Sequence, residues 1–370
     1  MSQAKSSRSE DAVRQLFSDT YSQADERFHT AAVAAGADIV SYQHPLQGPH
    51  GENLRLTGCR IGAKDARHVV LVTAGTHGVE GYAGSAIQTG ILKRLAAYSL
   101  PSDTSVVMFH VVNPWGMAWD RREDHDNIDL FRNFIYCEPP FAENLLYDRL
   151  DAAINPLEWA GTIRDEAERA IAQFIDTFGE DRFIGIVRRG QHDHPKGLTY
   201  HGQGPSWSKR CVDQIATRFI GAGARVANLE IHTSWGKPDE CLAISYAATG
   251  SPKLARTRRW IETPLYLPGA DPLIPAHPCT PFESLERLIP GVEVTALVME
   301  CGTYDGKMPL DCDRQNNFVF THGDPCSALG LQARQNMRRY CYPDSLEWKA
   351  MVWQCGELLF RSLAEGVRDW

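Results

Sequence analysis

Four short stretches constrain this chain more than anything else in it: "HVVLVTAG" (68–75), "SVVMFHVVNP" (105–114), "RVANLEIHT" (225–233) and "VTALVMECG" (294–302). Each is a nearly unbroken apolar run rich in β-branched residues, as expected of a strand covered on both faces. Helical patterns separate them, including "GSAIQTGILKRLAAYS" (84–99) and "DEAERAIAQFIDTFG" (165–179), and residues 10–36 read as an N-terminal helix stopped by Gly36. Alternating strands and helices predict an α/β protein, a three-layer α/β/α sandwich around a central mixed, largely parallel sheet. No repeat, low-complexity segment or Pro/Gly/Ser-rich linker divides the chain, so residues 1–370 read as one domain. Residues 344–370 read as a long amphipathic C-terminal helix, packed on the sheet or at a subunit contact, which leaves room for a homo-oligomer.

Polar residues gather where the four runs stop. His77 and Glu80 follow the first, Asn113 the second, His232 ends the third and Glu300 the fourth. Open α/β sheets collect ligands and reactive groups at the carboxyl ends of their strands. In "HGVE" the i,i+3 spacing brings an imidazole and a carboxylate to one side of a tight turn, where they can share a metal. Catalytic zinc takes three protein ligands and keeps one position for water, and two His with one Glu is a standard set. His232, in "EIHTS", is the third candidate from a distant strand end.

Composition narrows the partners. A net charge of −8 and a pI near 5.9, with no Lys/Arg block, argue against nucleic acid, whose phosphates demand a basic surface. The first residues carry no apolar core of a secretory signal, and no apolar run approaches the roughly 18 residues of a membrane span. The 10 Cys are scattered without paired spacing, so reduced thiols and a cytoplasmic location are the expectation.

The stretch "NPWGMAWDRREDHDNIDLFRNF" (113–134) resembles the zinc carboxypeptidase family, in which a strand ends in Asn-Pro-x-Gly and is followed by an Arg and by Asp-Leu-Asn-Arg-Asn-Phe. "THGVEG", "EIHTS" and "MECGTYD" fall around it in the family's order, and with "GQHDHPKGLTYHGQGPSWS" (190–208) the set looks most like a bacterial branch catalogued as domain of unknown function 2817. The resemblance covers residues 40–310 or so and implies a carboxypeptidase-like fold with one zinc per chain, held by His77, Glu80 and His232. It implies Glu300 as the carboxylate that takes a proton from zinc-activated water and returns it to the leaving amine. Asp129 matches an aspartate that accepts the other ring N–H of His77. Arg122, with Arg121 beside it as the alternative, matches the arginine that polarises the scissile carbonyl, and Arg132 the one that binds the substrate's terminal carboxylate. Residues 136–210, between the halves of the zinc site, then read as a partly helical insertion shaping access.

Two departures bear on the substrate. The family has Asn at position 131, where this chain has Phe131, which cannot hydrogen-bond a carboxylate. Weak binding of a generic peptide C-terminus follows, with a preference for a small acylated or aromatic substrate. The family's mobile tyrosine has no single match, since Tyr246 and Tyr304 both lie near motif residues. Of the other histidines, those of "HDHPKGLTYH" read as a substrate-facing loop rather than a second metal cluster, and His110 as a core residue; Trp115, Trp119 and Trp207 are open between pocket and core. The expected activity is zinc-dependent hydrolysis of an amide bond in a small-molecule or short-peptide substrate. An aspartoacylase-like deacylase of N-acyl amino acids shares the same motifs and is the alternative.

Overall fold

The computed structural model describes residues 11–98, 100–268, 276–304 and 310–370. Within them, β1 (Asp38–Gln47), β2 (Asn53–Gly62), β3 (His68–Ala74), β4 (Thr104–His110), β5 (Arg225–Ser234), β6 (Cys241–Ile244), β7 (Leu265–Tyr266) and β8 (Glu293–Gly302) make one sheet in the order β1-β2-β4-β3-β5-β8-β6-β7. The four strands expected from the sequence are its parallel centre, β4-β3-β5-β8. Antiparallel β2 and β1 extend one side, and β6, antiparallel to β8, extends the other with short β7 beyond it. The chain is thus an α/β three-layer sandwich with a mixed sheet.

Period-two alternation assigns each strand residue to a layer. Val70, Val72 and Ala74 of β3 join the first layer, and Val69 and Leu71 the second. On β5, Ala227, Leu229 and Ile231 face the first layer and Val226 the second, which sends Glu230 and His232 to the second face. On β8, Leu297, Met299 and Cys301 face the first layer while Val294 and Ala296 face the second, so Glu300 lies on the same side as His232. A slip of one residue in either strand would turn these groups into the opposite core.

The first layer holds the helices Tyr21–Ala34, Gly81–Arg94 and Leu346–Gly366; the second holds Leu130–Tyr136 and Trp207–Phe219. The C-terminal helix buries Trp348, Val352, Trp353, Leu359, Phe360 and Leu363 in the first-layer core, so its apolar stripe packs on the sheet side. Close approach to Gly81–Arg94 depends on glycine: a Cβ on Gly90 would lie 2.1 Å from the Trp353 ring. The expected N-terminal helix is interrupted. Its continuous part starts at Tyr21, where the Thr20 hydroxyl accepts the Gln23 N–H at 3.2 Å, and it ends before Gly36 at φ 70°. The Ser18-Asp19-Thr20 run offers the backbone side-chain oxygens that compete with helical hydrogen bonds.

Between residues 136 and 210 the helices Leu145–Ile154, Gly161–Phe178 and Glu180–Arg189 close a small core of their own around Tyr147, Ile154, Ile171, Phe183 and Val187. The expectation of uniformly reduced thiols needs correction. Cys241 of β6 and Cys301 of β8 are register partners with Cα atoms 4.3 Å apart and form a disulfide. Their separation of 60 residues hides a pairing that only the antiparallel β6–β8 contact creates. The other eight cysteines are free.

Candidate metal centre

The first part of the site is the turn after β3. Gly75, at φ 70°, follows the strand where a Cβ would lie 2.9 Å from Val111 Cβ and 3.1 Å from Gly81 Cα, and residues Gly78–Glu80 make one 3-10 turn before the helix Gly81–Arg94. The turn is clamped by the segment following β4: Gly78 and Val79 donate their N–H groups to the carbonyls of Arg122 (3.0 Å) and Arg121 (2.9 Å). A Cβ on Gly78 would lie 2.2 Å from the Gly116 carbonyl carbon. "HGVE" and "NPWG" are therefore two halves of one support. Gly78→Ala is expected to fold but to lower metal affinity roughly 10–100-fold, the range seen when a site's supports are removed. Chelator-competition titration checks this, and wild-type affinity would sink it.

The turn places His77 and Glu80 against His232, and the three offer ligand atoms that all lie within 4.8 Å of one another, all buried. Glu80 bridges the two rings, with Oε1 3.1 Å from His77 Nδ1 and Oε2 2.8 Å from His232 Nδ1. The backbone N–H of Thr233 also donates to Oε2, at 3.3 Å. Each imidazole thus turns Nδ1 toward a common centre and Nε2 toward an outer carboxylate. His232 Nε2 lies 3.0 Å from Glu230 Oε1, and His77 Nε2 lies 3.4 Å from Asp129 Oδ1. Imidazoles oriented by a carboxylate on the far nitrogen are what a transition-metal site requires. The donor set fits a single divalent ion of the zinc class.

The electrostatics agree with that fit. Burial works against ionised Glu80, yet the charges of His77 and His232 hold it below the usual carboxylate range. Burial likewise works against a charged His232, but Glu80 and Glu230 hold its pKa well above that of a free imidazole. Two buried acids clamping one ring create a place for positive charge, which a cation can take over from a proton.

Around this centre lies a cavity of about 90 Å³, lined by His77, Glu80, Arg122, Phe131, Arg132, Arg188, His232, Trp235, Tyr246, His277, Glu300 and Tyr340, among others. Glu300 is the register partner of His232, and its Oε1 accepts the Trp235 N–H at 3.0 Å. Burial, reinforced by the charge of Glu80, pushes its pKa up to about 8. Asp129 caps the helix Leu130–Tyr136 by accepting the Arg132 N–H at 3.2 Å, and its other oxygen takes Arg132 Nη1 at 2.9 Å and Arg122 Nη1 at 3.4 Å. Burial opposes its charge, but those two guanidiniums and His77 hold it well below the usual range. The guanidinium of Arg122 also reaches His77 Nε2, at 2.8 Å.

A family model matches residues 17–355 of the sequence. The chain belongs to DUF2817, described as a protein of unknown function. No curated protein matches it. Solved structures similar to this DUF2817 chain include a metallo-carboxypeptidase from Burkholderia cenocepacia, at 11% identity and TM-score 0.41 over 93% of this chain and 69% of that one. Another is the succinylglutamate desuccinylase from Chromobacterium violaceum, at 17% identity and TM-score 0.34 over 86% of this chain and 74% of that one. A third is bovine thrombin-activatable fibrinolysis inhibitor in complex with tick carboxypeptidase inhibitor, at 12% identity and TM-score 0.46 over 96% and 99%. At TM-scores below 0.5 these likenesses carry no argument about activity.

In this DUF2817 chain His77, Glu80, Arg122, Asp129, Phe131, Arg132, His232 and Glu300 are brought together, and Arg121 is not. Arg121 is turned away from the cavity lining: its guanidinium bonds Asn127 and Asn317 and lies 4.5 Å over the Phe320 ring. Of the two neighbouring arginines, Arg122 is the one facing the centre. Phe131 lies in the wall rather than the core, with its ring 5.6 Å from His232 and 6.2 Å from His77. Tyr246 lines the cavity, whereas Tyr304 is 44% exposed and donates to the Arg339 carbonyl. The loop histidines diverge: His192 pairs with His201 at 3.0 Å, and His194 with Asp148 and Asp151. His110 is a core residue, bonded to Ser85 and stacked on Phe28. Trp115 and Trp119 pack on Phe320, and Trp207 on His44, so the tryptophan at the cavity is Trp235.

Sequence reasoning missed Glu230, Arg188, His277 and Tyr340. For Glu230 a signal existed: in the buried strand segment "LEIH" it stands two residues before His232, hence on the same face. The other three come from segments with no fixed spacing to any motif.

Proposed function

We propose that this chain is a zinc-dependent hydrolase that cleaves an amide bond in a small carboxylate-bearing substrate. The observation that carries the reading is the convergence, at three strand ends, of a His77/Glu80/His232 donor set with a half-buried carboxylate, Glu300, beside it. Bound zinc would polarise the scissile carbonyl and acidify a water molecule. Glu300 is the group placed to take up a proton and deliver it to the leaving nitrogen; Trp235 N–H fixes one of its oxygens, and the other stays available to the cavity. Asp129 and Glu230 orient the two imidazoles. Arg122 stands beside the centre, where a carbonyl oxygen gains negative charge. Arg132 supplies a guanidinium for the substrate carboxylate.

Phe131 sets the character of the remaining wall. Together with Tyr246 and His277, at ring separations of 6.0 and 5.4 Å, it makes that wall aromatic and narrow, which favours an N-acyl amino acid over an extended peptide. Zinc-loaded protein assayed on N-acyl amino acids and on short peptides tests the proposal, and inactivity on both classes would overturn it. Phe131→Asn should shift preference toward peptides about tenfold, since a hydrogen bond to a charged group contributes about 1.5–3 kcal/mol. Efficient peptide cleavage by the unmodified chain, insensitive to Arg132→Ala, would refute the assignment of this wall.

A further inference from the structure

Phe131 gives the cavity no hydrogen-bonding side chain beside Arg132, and a distant segment stands where a second donor is needed. His277 is 8% exposed and lines the same cavity; its ring is 5.4 Å from Phe131 and 5.7 Å from Tyr246. The Arg132 guanidinium lies 5.5 Å from the centre of the Phe131 ring, so Arg132 and His277 both stand against one phenyl group.

The orientation of His277 is built from behind. Its Nδ1 is 3.0 Å from the Tyr136 hydroxyl, at the last residue of the helix that begins at Leu130. Tyr136 is itself fixed by stacking on His201, with centroids 5.3 Å apart and planes 17° apart. His201 is held in turn. His192 Nδ1 must donate to the Gly202 carbonyl, at 2.8 Å, so its Nε2 accepts from His201 Nδ1 at 3.0 Å. Burial and the charge of Arg132 push the His277 pKa down to about 3, so the ring is neutral near pH 7. When the Tyr136 hydroxyl donates to Nδ1, the single ring proton sits on Nε2, for which no hydrogen bond is found among the described residues.

We propose that His277 determines specificity at this site: its Nε2–H and the Arg132 guanidinium, both beside Phe131, receive the substrate carboxylate together, with Tyr136 fixing the imidazole in the donor tautomer. A neutral donor suits the place, because Arg122, Arg132 and Arg188 already line the cavity and a further cation would repel them. The inference rests on the proposed function only for the identity of the ligand, a small acylated amino acid.

Calorimetric binding of N-acetyl-L-phenylalanine and of its carboxamide to zinc-loaded protein tests it without turnover. The unmodified chain should prefer the acid. His277→Ala should weaken the acid roughly 10- to 100-fold and leave the amide within about twofold. His277→Gln, which keeps an N–H donor, should recover part of the loss, and Tyr136→Phe should fall between, all at unchanged zinc content. Equal weakening of acid and amide, no effect of His277→Ala, or no preference for the acid in the unmodified chain would each overturn the proposal. Intact, carboxylate-selective binding without hydrolysis of any acyl amino acid or peptide would count against the hydrolase reading and leave this subsite standing.

Discussion

Replacing Glu300 by Gln is expected to leave the chain folded and metal-loaded while turnover falls by roughly 10²–10⁴-fold, the scale of general acid–base catalysis. Glutamine keeps the volume and can still accept the Trp235 N–H through its amide oxygen, so β8 and its neighbours should be undisturbed. What it cannot do is gain and lose a proton near neutral pH. Burial and the charge of Glu80 push the Glu300 pKa up to about 8, and bound zinc, a nearby positive charge, would draw it lower. Metal analysis beside steady-state kinetics separates the outcomes. If Glu300→Gln lost its metal, Glu300 would be a ligand rather than a proton carrier; if it kept both metal and full activity, the proton would move elsewhere.

The second large effect concerns His232. Taking one donor of three from the centre should remove most of the metal affinity, so His232→Ala purified with zinc should retain less than about a tenth of an equivalent. The change also leaves Glu80 and Glu230 buried with less compensating charge, and the alanine variant risks misfolding for that reason. His232→Gln, which still offers a donor to these acids, guards against that outcome. Glu230→Gln, which touches only the far nitrogen of the ring, should lower affinity more mildly, by roughly 10–100-fold. Wild-type zinc content in a folded His232 variant would dismantle the centre as described.

The parts of this fold legible in the sequence are those where one physical signal dominates. β3, β4, β5 and β8 are buried on both faces, so their runs of Val, Leu, Ile and Met stand out from any background. β1 and β2 escape notice because "DIVSYQHPLQ" is largely exposed at the sheet edge and "NLRLTGCRIG" mixes charge and glycine into its pattern. β6 and β7 are four and two residues long, too short for any period to show. The same division holds at the site. His77, Glu80, His232 and Glu300 could be read because each sits where an apolar strand stops, and Asp129, Arg122 and Arg132 because they follow one another at family spacing. His277 and Arg188 belong to the cavity only because distant segments fold back over it, and Arg121 could be set apart from Arg122 only by the direction of its side chain.

The clamp between the two loops carries a consequence for anyone altering this protein. The Arg122 carbonyl holds the Gly78 N–H and is itself approached by Asn113 Nδ2 at 3.2 Å, while the Arg122 side chain points into the cavity. One residue thus sets both the position of His77 and the height of its own guanidinium above it. Residues 75–81 and 113–122 behave as a single cassette, and a graft, swap or randomised library that changes one without the other would misplace the His77 imidazole and the Arg122 guanidinium together.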